Sequence, residues 1–181
     1  MNNLSMHILD IVQNSISANA KMIEIHINEN LVKDVLDILI KDNGKGMDAD
    51  FLAEVTDPYK TTRTTRKVGL GIPLLKHSAE QSNGYIKVYS EKEIGTTVQA
   101  IFKHDHIDRP PLGDIAGTIT LLVSANPDVD FKYVHCVNNN KYEFDTREVK
   151  EILDDVCIND PKIRGVLKEM ISENLHEIYV V

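Results

Sequence analysis

The sequence predicts an α/β fold, and three features carry the prediction. Apolar residues recur at helical spacing over residues 4–20, two alternating runs follow at once, and a second helix with two more alternating runs closes the stretch to residue 103. A chain of 181 residues suffices for one well-buried core, or one core with a small appendage. Its 42% hydrophobic and 27% charged residues belong to globular chains, not to disordered ones.

In the first helix Leu4, Ile8, Ile11, Val12 and Ile16 form the apolar stripe, with Asp10, Asn14, Ser17 and Lys21 opposite. "MIEIHINE" (22–29) and "KDVLDILIKD" (33–42) alternate with the two-residue period of strands, and Asn30 to Val32 are the expected hairpin connection. Asp48 is placed to cap a short helix carrying Phe51, Leu52 and Val55. "DPYKTTRTTRKVGLG" (57–71), rich in Thr, Arg and Lys, predicts an exposed, mobile loop. Pro73 opens the next helix and Asn83-Gly84 stops it, after which "YIKVYSE" and "GTTVQAIF" read as two strands joined near Glu93-Ile94.

Pro110, Pro111 and Gly113 mark a linker over residues 104–113. Beyond it, Ile115, Ile119, Leu122 and Val123 predict a helix against the resistance of Gly117 and the β-branched run at Thr118 to Thr120. "DFKYVHCVNNNKYEF" predicts a hairpin turning at Asn138 to Lys141, Asp145 with Glu148 a capping box, and Asp160-Pro161 the start of a last helix through Leu175. The expected organisation is one domain over residues 1–103, a linker over 104–113, and a small α+β extension over 114–181.

A net charge of −8 argues against a general binder of nucleic acid or anionic membranes, whose phosphates the average surface would repel. "MNNLSMHILDIVQ" lacks the cationic and apolar blocks of a secretion signal, and no apolar run has the length of a membrane span, so the expected location is cytoplasmic. Cys136 and Cys157 stand far apart outside any CxxC spacing, which suggests neither a disulfide framework nor a zinc site. The seven histidines are scattered; His77 in mid-helix and His135 in a strand read as packing or surface residues.

Four short segments carry functional signals, each with a plainer reading beside it. Asp10 and Asn14, at i and i+4, share a helix face and can serve one ligand, or form a solvated face. "DNGKGM" (42–47) follows an apolar strand, where Asn-Gly signals a tight hairpin or a glycine turn brings backbone close to a ligand. Gly69-Leu70-Gly71 opens the Pro73 helix, whose positive N-terminus favours a phosphate. Gly95-Thr96-Thr97 starts a strand with a small residue and a hydroxyl able to bond a base edge.

Taken together and in this order, the four segments resemble the GHKL superfamily of ATP-binding domains, shared by DNA gyrase, the MutL mismatch-repair proteins, heat-shock chaperones and the histidine kinases. "DIVQNSISANA" and "IKDNGKGM" are similar to MutL, whereas "PYKTTRTTRKVGLGIPLLKHSAEQSNGYIKVYSEKEIGTTV" looks more like a histidine kinase or anti-sigma kinase. The resemblance covers residues 4–103 and implies a two-layer α/β sandwich, with a mixed, mainly antiparallel sheet covered by helices on one face. It implies ATP and Mg²⁺ as ligands. Asn14 would hold the metal, Asp42 would accept from the adenine amino group between Gly44 and Gly46, and Thr96 would assist at the base. Gly69, Leu70 and Gly71 would hold the phosphates, with Lys60 in a lid over residues 57–68 that orders on the triphosphate.

Two departures qualify the match. Where the family's ATPases have a Glu that activates water, this chain has the shorter Asp10, so hydrolysis is expected to be slow or absent. Histidine kinases carry a helical hairpin with a phosphoacceptor His ahead of this domain, so a complete sensor kinase is not expected. The expected function is Mg-ATP binding with slow hydrolysis or phosphoryl transfer to a separate protein, or else an inactive ATP-dependent module whose lid controls a partner. The extension is expected to pack beside the first domain or to form a homodimer contact.

Overall fold

A computed structural model describes residues 3–55 and 70–180. Twelve elements follow one another among these residues: α1 (Leu4–Ser17), β1 (Met22–Asn30), β2 (Val35–Asp42), α2 (Ala49–Val55), α3 (Gly71–Gln81), β3 (Tyr85–Glu91), β4 (Gly95–Lys103), α4 (Ile115–Ala125), β5 (Asp130–Val137), β6 (Asn140–Asp145), α5 (Thr146–Leu153) and α6 (Pro161–Tyr179). The strands form one six-stranded sheet in the order β3-β4-β2-β1-β5-β6. All neighbours are antiparallel except β1 and β5, which run parallel.

Period-two patterning decides which face is buried. Ile23, Ile25 and Ile27 of β1, Leu36, Ile38 and Ile40 of β2, and Val98, Ala100 and Phe102 of β4 are buried, while the residues between them are half-buried or exposed. Leu4, Ile8, Ile11 and Val12 of α1 and Leu75 and Ala79 of α3 pack into the same core. The opposite face carries Glu24, His26, Asp37, Lys41 and Lys87 in the alternate phase. One face is therefore covered by helices and the other is polar.

Residues 114–181 supply two strands of this sheet. β5 lies beside β1 with Ile25 opposite Tyr133, and α4 brings Ile119 and Leu122 into the same core as Ile23 and Ile25. The segment 104–113 is tied down as well: the carbonyls of Pro111 and Leu112 each accept, at 2.8 Å, from the backbone N–H groups of Leu4 and Ser5, and Asn3 caps Met6. These are the donors that a helix start leaves without intrahelical partners.

Element boundaries shift from expectation for local reasons. The β1–β2 turn takes in Lys33 and Asp34, because Asn30 Oδ1 accepts from Lys33 N and Asp34 is left-handed (φ 56°). α1 stops at Ser17 ahead of left-handed Asn19, and α5 stops at Leu153 ahead of left-handed Asp154. Asp145 caps α5 through Arg147 N at 2.9 Å rather than through Glu148, its carboxylate also gripped by the Arg147 guanidinium. α4 forms despite Gly117 because Asp114 caps it through Gly117 N at 2.8 Å. α6 runs on to Tyr179. The expected lid at 57–68 lies outside the described residues.

At the end of β1 a charge is buried in the apolar phase. Glu29, only 4% exposed, accepts from His135 Nε2 and His104 Nε2 at 2.8 Å each and from the Tyr179 hydroxyl. Tyr133 OH lies 2.7 Å from His135 Nδ1, so both ring nitrogens of His135 have partners. The network joins β1, β5, α6 and the segment after β4. Burial pushes the Glu29 carboxyl up, but the bonds from His135, Tyr179 and His104 more than offset this and hold it at about 2.

Two outcomes are expected. Because the folded-state value lies below the ordinary 4.5, Glu29 stabilises the protein fully above that pH and loses its contribution as pH falls toward 2. The span corresponds to about 3 kcal/mol; chemical unfolding of Glu29→Gln across this range should show a flatter acid limb than the unmodified protein. A chain cut after residue 103 leaves one edge of β1 unpaired and the Leu4 and Ser5 N–H groups without the Pro111 and Leu112 carbonyls, so it should fail to give a cooperative thermal transition.

Candidate nucleotide site

The site is built where α1, the end of β2 and the start of α3 meet. Asp10 and Asn14, one helical turn apart, both face Gly71: a Cβ there would stand 3.2 Å from Asp10 Cβ and 3.8 Å from Asn14 Nδ2. A larger residue would push α3 off α1. α3 starts at Gly71 with no side-chain cap among the described residues, and Leu70, its N-cap position, is 60% exposed. His7 ties the two helices further along. It is buried, pairs through Nε2 with Ser78 Oγ at 3.1 Å, and burial lowers its pKa, so it is neutral at pH 7.

Asp42 ends β2 in the buried phase, directly opposite Thr96 of β4. Its carboxylate is 8% exposed and accepts from Ser15 Oγ at 2.6 Å, from Gly44 N at 2.9 Å and from Thr96 N at 3.3 Å. "DNGKGM" is no hairpin turn, since β2 pairs with β1 and β4 and the next element is α2. Asn43 Oδ1 instead accepts from Lys21 N and Met22 N and anchors the start of β1. Gly44 sits against Ala18, and Gly46 (φ +62°) lies so close to the β3–β4 turn that a Cβ would fall 1.9 Å from Glu91 O. Only glycine fits that position. The same contact is fixed by Glu93 N donating to Lys45 O at 2.7 Å and Met47 N to Ser90 Oγ at 2.8 Å.

These parts enclose a cavity of about 530 Å³. Its polar lining includes Asn14, Ser15, Asp42 and Thr96, its apolar walls include Ile40, Ile72, Val98, Met47 and Phe51, and the exposed charged residues Lys45, Lys92, Asp48 and Glu93 also line it. Of the residues singled out from the sequence, Asn14, Asp42, Gly46 and Thr96 line it, while Gly44 and Gly71 stand behind them. Asp10 and Leu70 do not line it. Lys60 and Gly69 lie outside the described residues. Ser15, unassigned from the sequence although it follows Asn14, turns out to hold Asp42; its signal was its place one residue on from a candidate ligand. No group of three or more His, Cys, Asp or Glu among the described residues is arranged to hold a metal by itself.

A concave, mostly apolar cavity lined by a fixed carboxylate and by Ile72 at the start of a helix suits a nucleotide. The family model for histidine kinase-, DNA gyrase B- and HSP90-like ATPases matches residues 2–106. The chain belongs to this family.

Within the family, it is 32% identical over 98 residues to sensor histidine kinase YvrG of Bacillus subtilis, covering 52% of this chain and 17% of that protein. It is 35% identical over 81 residues to histidine protein kinase SaeS of Staphylococcus aureus, covering 42% of this chain and 23% of that one. The chain thus spans less than a quarter of the length of these relatives. The same fold occurs in the Aquifex aeolicus MutL ATPase domain complexed with ADP (TM-score 0.52, 14% identity, 84% of this chain and 69% of that one). It occurs also in the N-terminal domain of a DNA repair protein (TM-score 0.58, 16% identity, 99% of this chain and 57% of that one). No helix among the described residues is long and apolar enough to cross a membrane.

The short Ser15–Asp42 bond yields a test of this candidate site that needs no ligand. A hydrogen bond to a charged group contributes about 1.5 to 3 kcal/mol, so Ser15→Ala and Asp42→Asn should couple by that amount in a double-mutant cycle of unfolding free energies. Additive effects would mean that Ser15 does not hold the carboxylate.

Proposed function

We propose that the chain binds Mg-ATP in this cavity and either hydrolyses it slowly or transfers its γ-phosphoryl group to a separate protein in the cytoplasm. One observation carries the reading. A carboxylate fixed by three donors borders a largely apolar cavity that Asn14 and Ile72, near the start of α3, also line, and α3 has no side-chain cap among the described residues. Asp42 accepts from the adenine amino group, Gly44 and Gly46 shape that wall, and Thr96 assists at the base. The backbone at Leu70 and Gly71, with Gly69 before them, meets the phosphates, where N–H groups and the helix dipole favour negative charge. Lys60 completes the phosphate contacts from the preceding segment.

Asn14 fits Mg²⁺ as a single hard oxygen ligand, because this ion takes few protein groups beside phosphates and water. The ion neutralises charge on the phosphates when bound; the residues position them. Asp10 is the base in the hydrolytic reading. A second reading, an ATP-dependent binding module without turnover, is favoured by Asp10 lying outside the cavity wall. In that reading the nucleotide controls a protein partner.

Calorimetric titration distinguishes these outcomes. Asp42→Ala should weaken ATP binding at least tenfold, and ATP should bind more tightly than GTP. Asn14→Ala should lower Mg-ATP affinity. Asp10→Asn should leave affinity nearly intact and abolish residual turnover, and Asp10→Glu should raise turnover if reach is the only defect. Equal affinity for ATP and GTP, or normal binding by Asp42→Ala, would overturn the assignment.

A further inference from the structure

We propose that Ser90 is a positioning residue that fixes the direction of the Thr96 hydroxyl, and thereby makes the base end of the cavity accept an amino group and refuse a carbonyl. The inference rests on the nucleotide reading above and adds a residue outside the four segments that suggested it. Asp42, Thr96 and Ser90 form one row across the sheet: Thr96 is opposite Asp42 on β2 and opposite Ser90 on β3. Ser90 does not line the cavity of about 530 Å³; Thr96 and Asp42 do.

Ser90 Oγ has three hydrogen-bond neighbours: Met47 N at 2.8 Å, Gly95 O at 3.0 Å and Thr96 Oγ1 at 2.8 Å. A serine hydroxyl donates once and accepts twice. Met47 N–H only donates and the Gly95 carbonyl only accepts. The single Ser90 proton therefore goes to Gly95 O, Met47 N–H fills one lone pair, and the other lone pair takes the proton of the Thr96 hydroxyl. Thr96 is left with lone pairs alone to offer the cavity.

The ionised Asp42 carboxylate is also an acceptor only. Ser15 occupies one position on Oδ2, and Gly44 and Thr96 N–H occupy Oδ1, so Oδ2 keeps an open lone pair. Two acceptors on neighbouring strands match a group that carries two N–H bonds, the exocyclic amine of an aminopurine. A 6-oxo purine turns lone pairs toward lone pairs at the same place.

The test titrates the full chain with ATP and with inosine triphosphate, which carries a carbonyl where adenine carries the amine. The unmodified protein should favour ATP. In Ser90→Ala the Thr96 hydroxyl is free to turn and donate to that carbonyl, so the ATP-to-inosine-triphosphate affinity ratio should fall by about tenfold, and Ser90→Thr, which keeps the hydroxyl, should restore it. Thr96→Val leaves the bonds of Ser90 to Met47 and Gly95 in place and should also lower the ratio, chiefly through weaker ATP binding. If both nucleotides weaken by one factor in Ser90→Ala, Ser90 only props the wall and the inference is wrong while the nucleotide reading stands. If the unmodified protein binds neither nucleotide, both are wrong.

Discussion

The structure depends on β1 being paired along both edges. β2 runs antiparallel on one side and β5 parallel on the other, so a single strand carries Ile23, Ile25 and Ile27 into the core and sets the register of every other strand. The register is what places the site. Ile23 opposite Asp42, and Asp42 opposite Thr96, put a carboxylate and a hydroxyl side by side on the helix-facing side. A slip of one residue would turn both to the polar face, and it would turn the isoleucines out with them. Core burial thus enforces the position of the polar groups.

The walls of the cavity are two loops that brace each other. Gly46 and Gly95 allow the segment after β2 and the β3–β4 turn to approach to backbone contact, which a Cβ at either place would prevent. Ser90 and Lys45 then fasten the two by hydrogen bonds to Met47 and Glu93. Hydroxyls and carbonyls are satisfied inside the wall itself, so Thr96 and Asp42 meet the cavity from fixed positions.

What could be read from the sequence follows the range of the physical signal. α1, β1, β2 and α3 announce themselves through local period and caps, and so does the buried phase of Asp42 after Leu36, Ile38 and Ile40. The parallel pairing of β5 with β1 has no such local mark. It joins Ile25 to Tyr133 through a crossover containing α4, and only the bare edge of β1 calls for it. Single hydroxyls are equally silent: Ser15 and Ser90 gain their meaning from neighbours 27 and 6 residues away. Glu29 was legible in principle, since it continues the phase of Ile23, Ile25 and Ile27, and a charge in that phase must find partners.

Glu29 and Asp42 show why burial alone does not identify a site. Each sits near the end of its strand in the core phase, each accepts three hydrogen bonds, and they stand at opposite ends of the paired strands β1 and β2. Around Glu29 the donors are His104, His135 and Tyr179, which come from three other parts of the chain. Removing that carboxylate would cut the ties among them. Around Asp42 the donors are Ser15, Gly44 and Thr96, and the carboxylate borders a cavity large enough for a base. Both carboxylates tie distant elements together, Asp42 joining α1 to β4; what separates them is that only Asp42 borders a cavity, and that is the feature on which the proposed ligand role rests.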